Sequence, residues 1–159
     1  MNLNRTFLTL GLASALLQMS APVSAQGSSS DRQNPLLQKS SLPFGAPDFS
    51  RIQEADYLPA IEAAVKNQRE NIQKIVGNKK KPTFQNTILA FEESGVLLDA
   101  VSNVYFGLTS AHKTPVIAET EKKVMPLLTD LENEISFNQQ LFERIKYVYD
   151  NELPKLKGE

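Results

Sequence analysis

The sequence contains no cysteine and a single histidine, His112. The first absence excludes a disulfide framework and any thiolate metal site or thiol nucleophile. The second excludes HExxH, which needs two imidazoles on one helix face. No Gly-rich phosphate loop and no Ser/His/Asp set can be assembled. Basic charge is also scarce: 17 Lys and Arg stand against 18 Asp and Glu, a net −1. A nucleic-acid partner would want a basic stripe, so that class is excluded. Alternating β patterns are missing as well. No catalytic, cofactor-binding or metal-ligating residue can be named in these 159 residues.

What is present begins with an address. Arg5 precedes the apolar run Phe7–Leu17, too short to span a bilayer. Gln18 and Ser20 end the run, Pro22 breaks any helix, and Val23 and Ala25 are suited to positions −3 and −1 of a cleavage site. Residues 1–25 are read as a cleaved signal peptide, with no stable membrane anchor afterwards and, lacking Cys, no lipid anchor. Cleavage removes one cation and leaves 16 Lys and Arg against 18 acids, a net −2.

Three segments follow. Residues 26–33 (QGSSSDRQ) are a polar, flexible spacer. Residues 34–50 carry three prolines among Leu36, Leu37, Leu42, Phe44 and Phe49, which predicts an irregular strap lying over helices. Residues 51–159 are helical by periodicity. Asp56 is the expected N-cap of a first helix to Val76, with Pro59 in its first turn and Leu58, Ile61, Val65, Ile72 and Ile75 inward. Lys79–Pro82 is a solvated connector.

Thr83 caps a second helix with Phe84, Ile88 and Phe91 inward. Gly95 then acts as a cap or marks a close crossing, and Leu97, Val101, Val104, Tyr105 and Leu108 continue a stripe. Thr114 and Pro115 open the next helix, with Ile117, Val124, Leu127, Leu128, Leu131 and Ile135 buried and a kink expected ahead of Pro126. Asn138 caps the last, through about Tyr149, with Leu141, Ile145 and Val148 inward. The fold class is all-α, an antiparallel helical bundle.

Among polar residues, His112 is expected in a helix-to-helix turn and Tyr105 buried in the bundle. Glu92 and Glu93, adjacent and so about 100° apart on a helix, do not face each other, and with Glu132 and Glu134 they are expected at the surface. Phe142 and Tyr149 widen the apolar surface of the last helix, and Leu153 and Leu156 extend it.

Several runs carry a resemblance: Asn34-Pro35-Leu36-Leu37, Leu42–Phe49 (LPFGAPDF), Tyr57-Leu58-Pro59-Ala60, Phe84–Gly95 (FQNTILAFEESG), Ser110-Ala111-His112 and Asn138–Ile145 (NQQLFERI). In this order they resemble the N-terminal part of bacterial peptidyl-dipeptidases of the Dcp type, zinc metallopeptidases of the thimet oligopeptidase family. The resemblance covers about Asn34–Tyr149. It implies the N-terminal, channel-wall lobe of a larger helical peptidase that cuts short peptides. Zinc, an HExxH helix and a downstream Glu would lie in a catalytic domain outside this chain, so no catalytic residue carries over. The chain then reads as a fragment that binds no zinc itself, exported to the bacterial periplasm. The alternative is a free-standing exported helical binding module without catalysis.

Overall fold

The computed structural model describes residues 32–152. The expected signal peptide, nearly all of the expected spacer, and Leu153 and Leu156 lie outside the described residues. No strand occurs among the described residues, and the all-α expectation holds. The helices are α1 (Glu54–Val76), α2 (Ala90–Ser94), α3 (Val96–Ala111), α4 (Pro115–Ser136) and α5 (Gln139–Glu152). A π-helical stretch, Phe84–Leu89, leads into α2.

The central helix is α1, which packs against each of the other four. One face carries Tyr57, Ala60, Ile61, Ala64 and Val65 onto Leu98, Val101 and Tyr105 of α3 and Ile117, Val124 and Leu131 of α4. Small Ala60 and Ala64 let the Tyr57 and Tyr105 rings meet at 5.4 Å. Farther along, Ile72 and Ile75 form a second cluster with Leu141 of α5. Ile135 packs against both clusters.

The start of α1 corrects the sequence reading. The N-cap is Gln53, and Asp56 is the third helical residue. Its carboxylate reaches back to accept from the Gln53 backbone N–H at 2.7 Å. This is the reciprocal half of a capping box, so Asp56 satisfies the N–H of the N-cap residue from inside the helix instead of capping first-turn donors from outside it. Pro59 therefore lies in the second turn, where it is exposed. Its missing donor belongs opposite the carbonyl of Ala55, also exposed, which water can satisfy.

The strap is fastened at its start by hydrogen bonds. Asn34 Oδ1 accepts from Leu36 N at 3.0 Å, and Asn34 Nδ2 donates to the Asp56 carbonyl at 2.8 Å. Leu36 and Ile52 pack against the larger core. Leu37, Leu42, Phe44 and Phe49 do not, contrary to expectation, and are exposed. Overlapping turns lift this part away: Gly45 N donates to Leu42 O at 3.1 Å and Ala46 N to Pro43 O at 3.2 Å. Phe44 has φ +59° and Gly45 φ +71°.

Thr83 caps as expected, accepting from Asn86 N at 3.2 Å while Asn86 Oδ1 accepts from Thr83 N at 2.9 Å. The turn it opens is π rather than α. Thr87 is the fully buried residue there, with Phe84, Ile88 and Phe91 half-buried. Gly95 has an ordinary helical φ of −95°. It marks a close approach: a Cβ there would lie 3.0 Å from Gln68 Nε2 of α1, the end of a flexible side chain that would have to shift. Thr114 caps α4, accepting from Ile117 N at 3.2 Å, and donates to Glu54 Oε1 of α1 at 2.8 Å. The helix runs unbroken through exposed Pro126. Asn138 Oδ1 accepts from Leu141 N at 2.9 Å and so starts α5, which continues to Glu152, beyond the expected end.

Candidate functional site

The buried cation among the described residues is Arg144, held in a clasp. On α5, Arg144 lies three residues after Leu141 and four before Val148, both buried, so the helical period turns it inward. Only 9 % of it is exposed. Its two terminal nitrogens are spent on the segment between α1 and α2. Nη1 donates to the carbonyls of Asn78 at 2.8 Å and Lys80 at 3.4 Å. Nη2 donates to Asn86 Oδ1 at 3.0 Å and Thr87 Oγ1 at 3.3 Å. Nε is buried without a partner.

A buried charge normally requires an opposite charge. Among the described residues no carboxylate forms an ion pair with Arg144. Carbonyl and amide oxygens take that role, two of them just past the C-terminus of α1, where the helix dipole favours a cation. The planar, forked guanidinium spans the connector and the π turn at once. A second hold comes from the same helix: Glu152 Oε2 accepts from Phe84 N at 3.0 Å. The expected solvated connector Lys79–Pro82 thus exposes its lysine side chains while its backbone is held. Lys80 N donates to Asn78 Oδ1 at 2.9 Å, and Lys81 Nζ sits 5.5 Å from the centre of the Tyr147 ring.

Two of the runs that carry the resemblance, Phe84–Gly95 and Asn138–Ile145, meet in this clasp. Its donors point at backbone and neutral side chains, and none of its groups is a nucleophile or a base with a reacting atom in reach.

The other candidates lie apart. His112 is exposed in the turn between α3 and α4. Tyr105 is fully buried between Tyr57 and Phe106, as expected, and burial first, then Glu121, raises its phenol pKa. Tyr57 shifts the same way, through burial first and then Asp56 and Glu54. Glu92, Glu93 and Glu132 are exposed. Glu134 is exposed too, but bidentately bound: Arg69 Nε and Nη2 donate to its two oxygens at 2.6 and 2.8 Å. That hydrogen bond lowers the carboxyl pKa and raises that of the guanidinium.

Among the described residues no three His, Cys, Asp or Glu side chains converge in a way that could hold a metal ion. A lone exposed imidazole does not make a zinc donor set, so the residues here do not fit that metal. No described helix is long and apolar enough to cross a membrane. A cleft of about 150 Å³ between the strap and α3 is bordered by Leu36, Ile52, Ala100 and Val104. That is below the several hundred Å³ of an ordinary small-molecule site.

No family model matches the chain. The dipeptidyl carboxypeptidase of Salmonella typhimurium is 40 % identical over 116 residues, which are 73 % of this chain and 17 % of that protein. Its namesake in Escherichia coli K12 is 38 % identical over the same lengths. Oligopeptidase A of Escherichia coli K12 is 25 % identical over 119 residues, 75 % of this chain and again 17 % of the relative. The chain therefore spans about a sixth of the length of the curated relatives it matches. Such a match fits the N-terminal part read from the sequence, and the chain is accordingly a relative of the bacterial dipeptidyl carboxypeptidases, more distantly of oligopeptidase A.

Proposed function

We propose that residues 26–159 form the N-terminal, channel-wall lobe of an exported, zinc-dependent peptidyl-dipeptidase acting on short peptides. The observation that carries this reading is the 40 % identity to a dipeptidyl carboxypeptidase across 116 residues. In this reading zinc would be held by polypeptide outside this chain and would activate the attacking water there. The part of these residues is architectural. They form a helical wall whose connector and π turn are fixed by Arg144, and they restrict access to short, unfolded substrates. Export to the periplasm belongs to the same proposal and rests on residues 1–25.

The test uses the purified chain supplied with zinc and an N-terminally blocked peptide. It should release no dipeptide alone. Adding the Escherichia coli dipeptidyl carboxypeptidase that lacks its matched segment should restore release. Chelator-sensitive hydrolysis by this chain alone would refute the assignment. Failure to restore any activity would favour the binding-module alternative.

A further inference from the structure

The outward face of α5 serves neither the core nor the clasp. Leu141 and Val148 point inward and are buried. Phe142 and Tyr149, seven residues apart and so about 10.5 Å along the axis, point out and are 56 % and 65 % exposed. Phe137, at the corner between α4 and α5, is 83 % exposed. It lines a shallow depression of about 290 Å³ with Phe142. The polar neighbours are satisfied within the helix. Gln139 Nε2 donates to Glu143 Oε1 at 2.9 Å, and Lys146 pairs with Asp150 at 2.6 Å. What remains unmatched on this face is aromatic and uncharged. A helix with apolar residues on two faces belongs between two layers.

We infer that Phe137, Phe142 and Tyr149 form a helix-packing seam for the polypeptide that corresponds to the remainder of a dipeptidyl carboxypeptidase. The inference rests on the functional reading above and names the partner of the lobe. The occupant follows from two facts. The match covers 17 % of each relative, which leaves 83 % of its length as polypeptide without a counterpart in the aligned region. Charges paired within α5 leave no net patch to recruit an anionic surface, so the contact is apolar and takes an amphipathic helix.

The experiment co-expresses the full 159-residue chain with the Escherichia coli relative lacking its matched segment. Co-purification is expected. Phe142→Ser with Tyr149→Ser should weaken it at least about tenfold, as loss of aromatic anchors does. Val116→Ser, an exposed apolar position on α4, should leave it unchanged. A double variant that binds like the parent, or an equal loss with Val116→Ser, overturns the seam.

Thiol labelling covers the case of an insoluble truncated relative. A Phe142→Cys variant carries the chain's only cysteine. Iodoacetamide should label it rapidly in the isolated chain. Labelling should be about a hundredfold slower once residues 33–152 replace the matched segment of the relative, because access then requires opening of a packed interface. Equal rates overturn the proposal. Protection in the isolated chain that vanishes on dilution assigns the face to a second copy and overturns it as well. A protected seam without peptide hydrolysis refutes the functional reading alone. Restored hydrolysis with Phe142 still accessible refutes only the seam.

Discussion

Arg144 and Phe44 stand against the ordinary preferences of their residue types, one buried with its charge, the other exposed with its ring. For Arg144 the forked hydrogen bonds decide the outcome. Arg144→Met removes the charge but takes the donor from the carbonyls of Asn78 and Lys80, while Asn86 Oδ1 still accepts from Thr83 N and from the Thr87 hydroxyl. A loss of about 3 kcal/mol is expected in urea unfolding, within the range for breaking a buried polar pair. Arg144→Lys should recover less than half, because an ammonium cannot span both carbonyls and both side chains. Full recovery by Lys would show that charge rather than geometry matters. Phe44 is fully exposed and left-handed, a backbone region that costs a non-glycine residue about 1–2 kcal/mol. Phe44→Asn, better suited to that region, should raise stability by about 0.5–1 kcal/mol. A fall in the urea midpoint would mean that the ring contributes contacts in the folded chain.

The helix stripes show how far such contributions reach at the scale of elements. Val101 is buried between α1 and α3, so Val101→Asp places an unpaired carboxylate in the larger core. A cost of several kcal/mol is expected, comparable with the whole stability of a small domain. Leu128→Asp should be milder, since Leu128 is only partly buried and its carboxylate can turn toward water. Equal melting midpoints for Val101→Asp and the parent would show the stripe to be misplaced. The Arg69–Glu134 bridge joins α1 to α4 at the surface. The folded-state pKa of Glu134 is lowered, so its contribution is present above the unfolded carboxyl pKa and is lost as pH falls through the folded value. Solvent screening keeps it small, about 0.5 kcal/mol. Glu134→Gln should therefore cost that much at pH 7 and nothing once the carboxyl is protonated in both states. A difference that persists in acid would assign the effect to packing.

The elements were legible in the sequence because their signals are local. Thr83, Thr114 and Asn138 are caps by residue type, and Val101, Tyr105, Ile117 and Leu131 are core by helical period. The clasp was not legible, because it joins residues 57–66 positions apart. Arg144 sits at a stripe position, but a charged residue type is ordinarily found at the surface. Its place between Leu141 and Val148 was the available signal. Asp56 misled by one half of a capping box, and the outer part of the strap misled because overlapping turns hold apolar side chains away from the helices.

At the scale of the molecule, the two clusters and the clasp hold one helical body together, while Phe44, Phe137, Phe142 and Tyr149 remain in water. Exposed aromatic patches drive association. Purified 26–159 should therefore bind a hydrophobic dye, as judged by dye fluorescence. A monodisperse chain at high concentration without dye binding would instead fit a self-sufficient binding module. N-terminal sequencing of exported material should read Gln26. Retention of residues 1–25 in a membrane fraction would contradict cleavage.

The central claim is that this segment contributes architecture and no reacting group to a peptidase. It is tested most directly by replacing the matched segment of the Escherichia coli dipeptidyl carboxypeptidase with residues 33–152 and measuring dipeptide release. The account predicts kcat within about tenfold of the parent relative, a barrier change of roughly 1.4 kcal/mol or less. It further predicts that His112→Ala in the chimera leaves kcat unchanged. A folded chimera without activity, or one that loses activity with His112→Ala, would contradict it.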